Sequence, residues 1–125
     1  MTPMMKKDNA HTLRELAAQL SDGTQTAEGL AEESLKAIRK DSLNAFITVN
    51  DAAIDQARAV EKRTTKEKRS MLAGLPLAVK DVLVTEGLRT TAASKMLDDY
   101  VPSYTATAVQ RLVDAGMVIV GKTNC

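Results

Sequence analysis

The sequence predicts an α/β fold: an N-terminal helical hairpin followed by part of a mixed, largely parallel sheet with a βαβ unit. Three observations predict it. Two stripes of apolar residues at helical spacing open the chain. Two short apolar runs, Leu75-Pro76-Leu77-Ala78-Val79 and Met117-Val118-Ile119-Val120, have the length and branching of buried strands. Between those runs lies one further helical pattern, and strand, crossover, helix, strand is the order of a right-handed parallel unit.

The elements follow in order. Thr12 with Glu15 three residues on is a capping-box pattern, and Leu13, Leu16, Ala17 and Leu20 behind it predict an amphipathic helix over 12–21. Ser21-Asp22-Gly23 ends it, Thr26 caps the next, and Leu30, Ala31, Leu35 and Ile38 form the second stripe. Asn44 to Val49 is short, β-branched and aromatic, as a strand requires, and an Asn50-Asp51 cap introduces a helix from Ala52 to Glu61. Lys62 to Ser70 carries five basic residues, one acidic and none apolar, so it is read as a solvated loop. After the run at 75–79 come Thr85-Glu86-Gly87 and the hydroxyl-rich Thr90-Thr91-Ala92-Ala93-Ser94. Ser103-Tyr104-Thr105 then supplies caps for a helix carrying Val109, Leu112 and Val113, and Gly116 closes it before the second run.

Composition bounds the function without choosing it. The chain has 125 residues, 17 basic and 16 acidic, so no overall field favours nucleic acid or an acidic membrane. No run approaches the roughly 18 apolar residues of a membrane span, and Met1 to Asp8 lacks the apolar core of a secretory signal, which predicts a cytoplasmic protein. Cys125 is the single cysteine and His11 the single histidine, so neither an internal disulfide nor a Cys-based metal site can be assembled, a metal site from one histidine and scattered carboxylates is not expected, and no cofactor site is expected in this chain.

The segment of most chemical interest is Gly74-Leu75-Pro76-Leu77-Ala78-Val79-Lys80-Asp81, an apolar run that enters a lysine with no polar transition. A lysine at the end of a strand buried on both faces stands at the edge of a desolvated interior, where its ammonium form is disfavoured and it can accept a proton near neutral pH. The plain alternative is a lysine that snorkels from a strand end to water. Gly116 to Thr123 also satisfies the phosphate-loop spacing, Gly, four residues, then Gly-Lys-Thr. Its four intervening residues are themselves the extended, β-branched run, so their N–H groups cannot curl onto an anion, and the match is rejected.

Gly74 to Asp81, Arg89 to Lys95, Tyr100 to Thr107 and Val118 to Asn124, in that order and with Leu43 to Ile47 before them, resemble the amidase signature family. More narrowly, they resemble its branch that serves glutamyl- and aspartyl-tRNA amidotransferases as their A-type component. The resemblance covers nearly the whole chain and implies the N-terminal portion of the amidase signature fold: a single incomplete amidase domain, helical over 1–70 and βαβ over 71–125. It implies a Ser-Ser-Lys mechanism in which Lys80 takes a proton through a bridging serine, so that a nucleophilic serine attacks the glutamine carboxamide and releases ammonia. The implied partners are the B- and C-type subunits, with misacylated tRNA reached through the complex, while ATP and Mg belong to one of those partners. Asp81 accompanies the lysine in the family pattern and is taken as structural. Thr90, Thr91 and Ser94 match the loop after the lysine, as ligand contacts or as loop caps. The Gly-Ser-rich segment that carries both serines is not among these residues, so this chain alone is expected to be inactive. The rival readings are a non-catalytic interaction module and a piece of another amidase acting on a small amide.

Overall fold

The computed structural model describes residues 11–64 and 69–125. The elements are α1 (Leu13–Asp22), α2 (Ala27–Lys40), β1 (Phe46–Val49), α3 (Ala53–Thr64), β2 (Pro76–Lys80), a 3₁₀ turn at Lys95–Leu97, α4 (Thr107–Asp114) and β3 (Val118–Thr123). Among the described residues the sheet has three strands in the order β1-β3-β2, with β3 antiparallel to β1 and parallel to β2. β2, α4 and β3 make the expected βαβ unit.

The local signals act as the residues dictate. The Thr12 hydroxyl accepts from Glu15 N and the Glu15 carboxylate accepts from Thr12 N, a complete capping box. Gly23 ends α1 at φ +83°, and Thr26 caps α2 by accepting from Gly29 N. Leu20 of α1 meets Leu30 of α2 beneath Leu75 and Met117. The buried stripe of α2, Ala27, Ala31 and Leu35, packs with Ala53 and Ala57 of α3 against Val118 and Val120 on one face of β3. On the other face, Ile119 joins Val79 of β2 and Val109 of α4.

Three expectations need correction. The strand at 75–79 is not buried on both faces: Val79 is buried but Ala78 and Lys80 are exposed, because β2 lies at the edge of the three strands. Burial on both faces belongs to β3, whose first five residues are all buried. Ser103-Tyr104-Thr105 does not cap α4. Its N-cap is Ala106, without a side-chain bond, and the Thr105 hydroxyl instead accepts from Glu86 N. The basic stretch 62–70 is not all loop: its first three residues are the last turn of α3, and 65–68 lie outside the described residues.

One irregularity places the site. In the parallel pairing Leu77 faces Ile119 and Ala78 faces Gly121, so Val120 has no partner on β2. The additional residue reverses the alternation of β3, as a bulge does, and brings Lys122 onto the same face as Ile119, beside Val79. Val120 directs its carbonyl to Asn50 N at 2.9 Å, and the Asn50 amide donates to Ile119 O at 2.7 Å, which fixes the irregular stretch against the end of β1. Gly121 is needed here, since a Cβ would sit 2.7 Å from Thr48 O and 2.9 Å from Phe46 Cδ1.

Gly121→Ala is therefore expected to lower unfolding stability by about 1–3 kcal/mol through overpacking of β1 on β3. Gly23→Ala meets nothing within 4 Å and should cost only the left-handed backbone strain of about 1–2 kcal/mol. Urea titration of both variants measures the difference, and an unchanged midpoint for Gly121→Ala contradicts the close approach. The exposed apolar residues Val82, Met96, Val101 and Tyr104, with the free edge of β2, predict self-association of the isolated chain. Sedimentation velocity should show concentration-dependent growth in size, whereas a monodisperse monomer with a cooperative melt contradicts it.

Candidate active site: two lysines at the carboxyl end of a parallel pair

β2 and β3 end together, with Lys80 paired to Thr123 and Val79 to Lys122. The carboxyl ends of parallel strands are where ligand sites form in α/β sheets. The two lysines stand one register position apart and so project from opposite faces.

Lys80 is exposed. Lys122, part of the rejected phosphate-loop match and of the Val118 to Asn124 motif, is the lysine that is withdrawn from water, at 0% exposure. Its Nζ donates to Leu83 O and to Thr90 Oγ1, each at 2.7 Å, and stands 3.9 Å from Asp81 Oδ1. Burial pushes the Lys122 ammonium below the usual lysine range, while the Asp81 carboxylate and, more weakly, Cys125 act in the opposite direction. The desolvated environment expected for Lys80 is thus realised across the pair, at Lys122. A signal existed: Val118-Ile119-Val120 is a more strongly branched run than Pro76-Leu77-Ala78 and also leads into a lysine within two residues. Strand order, which the sequence does not state, decides which lysine is central.

Asp81 is bonded within the protein, and its charged neighbour is Lys122. The carboxylate is fully buried. Its Oδ2 accepts from Thr91 N at 3.1 Å and from the Thr91 hydroxyl, and Oδ1 has no hydrogen-bond partner among the described residues. Asp81 N donates to Thr123 O at 3.0 Å and Asp81 O accepts from Ala92 N at 2.9 Å, so the residue ties the loop of 90–93 to β3. That loop holds two successive alanines, Ala92 and Ala93, at φ 51° and 57°. A left-handed alanine costs about 1–2 kcal/mol, so two in a row persist because the Asp81 and Thr91 bonds over-determine the turn.

The hydroxyls considered as ligand contacts have protein partners. Thr90 donates to Leu88 O and accepts from Lys122, Thr91 serves Asp81 and Ala93 N, and Ser94 caps the 3₁₀ turn by accepting from Met96 N. Arg89 donates to Thr48 Oγ1 at 3.0 Å and pairs with Asp98, joining the loop to β1. His11 is exposed beside Glu15, and no group of three potential metal ligands occurs among the described residues. No helix among them is long and apolar enough to cross a membrane.

Comparison with known proteins places this geometry in a family. The family model for Amidase matches residues 30–125. The chain is 49% identical over 117 residues to the A subunit of the glutamyl-tRNA(Gln) amidotransferase of Ralstonia nicotianae, covering 92% of this chain and 24% of that protein. It is 48% identical over 116 residues to the mitochondrial counterpart of that protein from Canis lupus familiaris, covering 90% of this chain and 22% of that one. Among solved structures, an amidase family protein from Bacillus anthracis superposes with a TM-score of 0.87 at 30% identity, over 95% of this chain and 25% of that one. The peptide amidase of Stenotrophomonas maltophilia gives 0.85, also at 30% identity and the same coverage. The chain belongs to the amidase family, and it spans about a quarter of the length of these relatives.

Removing one member of a buried ion pair leaves the other uncompensated, at about 3–5 kcal/mol. Lys122→Met is expected to lose that much by urea titration, and Asp81→Asn with Lys122→Met to recover a large part of it. Additive losses in the double variant contradict direct pairing.

Proposed function

We propose that this chain supplies the lysine of a glutamine-hydrolysing amidase, the A-type subunit of a tRNA-dependent amidotransferase. The observation that carries the reading is 48–49% identity to such A-type subunits over nine-tenths of the chain, with Lys80 of the family motif at the carboxyl end of a parallel strand. In this reading Lys80 accepts a proton relayed through one serine, a second serine attacks the carboxamide carbon of glutamine, and the C–N bond breaks to release ammonia. In this reading both serines lie in the three-quarters of the relatives' length that this chain does not span.

Lys80 is exposed here, and exclusion of water is one way of favouring the neutral lysine that can act as a base. The reading asks the remainder of the domain to supply that cover over Lys80, Ala78 and the free edge of β2. The ammonia passes to B- and C-type partner subunits, where ATP and Mg drive amidation of the misacylated tRNA, and a cytoplasmic location accompanies this role in a bacterial cell. The lower identity of 30% to a peptide amidase at a TM-score of 0.85 supports a second reading, an amidase acting on another small amide. The higher identity to the tRNA-linked subunits favours the first.

Residues 1–125 alone should release no ammonia from glutamine. A protein of the relatives' full length that begins with these residues should release it, and Lys80→Ala in that protein should lower the rate by at least about a hundredfold. Ammonia release by 1–125 alone that vanishes with Lys80→Ala overturns the proposal. A full-length protein that hydrolyses peptide or aryl amides but not glutamine selects the second reading.

A further inference from the structure

The buried lysine has no part in the chemistry just described, yet it grips the backbone that leaves Lys80. We propose that Lys122 is a positioning residue for Lys80, a claim that rests on the reading of Lys80 as the base. The turn that begins at Lys80 is closed by Leu83 N donating to Lys80 O at 3.0 Å. Lys122 Nζ holds the carbonyl of that same Leu83 at 2.7 Å. One ammonium on β3 thus restrains the turn through which β2 leaves the sheet.

Its second bond, to Thr90 Oγ1, restrains the far end of the same loop. The next residue, Thr91, holds Asp81 Oδ2 through both its amide and its hydroxyl. Asp81 follows Lys80 directly, and its own amide and carbonyl are bound to Thr123 O and Ala92 N. Each hydrogen-bonding group of the backbone from Lys80 O to Asp81 O is therefore held, and Lys122 lies between the two segments that hold it. Lys122 is suited to this place because it donates to two oxygens and leaves its charge facing Asp81 Oδ1. A neutral donor would meet the two oxygens and leave the buried carboxylate without a counter-charge. A misplacement of about 1 Å at a reacting group can cost about a hundredfold in rate, so a fixed exit from β2 bears directly on proton transfer by Lys80.

The test uses the full-length protein in complex with its partners and two variants. Thr90→Val keeps the volume and removes one acceptor, while Lys122→Met removes the ammonium. Per folded molecule, kcat for glutamine should fall about tenfold or more in Lys122→Met and about threefold or more in Thr90→Val, with KM changed less than about threefold. Lys122→Met added to Lys80→Ala should slow the reaction no further. Unchanged kcat in folded variants, or an additive loss in the double variant, overturns the proposal, because a purely structural role changes the amount of folded protein and not its rate.

A second measurement separates this claim from the functional reading. Hydrogen exchange on the 125-residue chain should show the Leu83 amide accelerated at least about tenfold more than the Asn50 amide in Thr90→Val and in Lys122→Met. If the wild-type enzyme hydrolyses no glutamine, the functional reading fails and this measurement decides the restraint by itself. Equal Leu83 protection in the folded variants overturns the restraint. Should Lys122→Met not fold, Thr90→Val decides in both assays.

Discussion

The buried pairing of Lys122 with Asp81 is the constraint on which the sheet's carboxyl edge depends. Two opposite charges at 0% exposure are costly unless paired and hydrogen-bonded, and here a loop supplies the hydrogen bonds while Asp81 Oδ1 faces the Lys122 ammonium at 3.9 Å. Lys122 takes Leu83 O and Thr90 Oγ1, Asp81 takes both donors of Thr91, and the segment between Lys80 and Ala93 is thereby folded back on β3. An apolar pair of similar volume would pack there with less desolvation cost, but it would not specify which carbonyl and which hydroxyl come together.

That pairing depends in turn on the unpaired Val120. Regular alternation would turn Lys122 toward α2 and α3, the face of Val118 and Val120, which packs on Ala27, Ala31, Leu35, Ala53 and Ala57. The extra residue shifts it to the face of Val79 and Ile119, where the loop oxygens wait. Gly121 permits the shift because Thr48 O and Phe46 occupy the space a side chain would need. The central strand thus serves as wall of both apolar clusters up to Val120 and as the anchor of a polar network beyond it.

Much of this fold was legible from local chemistry. The Thr12 and Thr26 caps, the stripes of α1 and α2, and the βαβ order are each specified by residues within a few positions of one another. What depends on which strand is central is not written in any one segment. The run before Lys80 looks buried by composition but lies at an edge, and the run before Lys122 is buried on both faces because β1 and β2 flank it. The capping role expected of Ser103 to Thr105 fails for a related reason. The sequence neighbours of Thr105 suggest a cap, yet its partner is Glu86, 19 residues earlier. For the site, Lys80 was visible as a motif and its position at the strand end follows from topology. Lys122 was hidden because its network, Leu83, Thr90 and Asp81, lies 32 to 41 positions away along the chain.

The two lysines divide properties that the motif alone assigns to one: Lys80 stands at the exposed end of the edge strand, in the place the proposed mechanism gives to proton transfer, while Lys122 is dry and bound beside it. The titration of Lys122, followed by its ε-methylene NMR signals, tests this division most directly. The account requires a midpoint below the usual lysine range, moving lower still in Asp81→Asn as the counter-charge is removed. A midpoint at or above the usual lysine value, or one indifferent to Asp81→Asn, would contradict it.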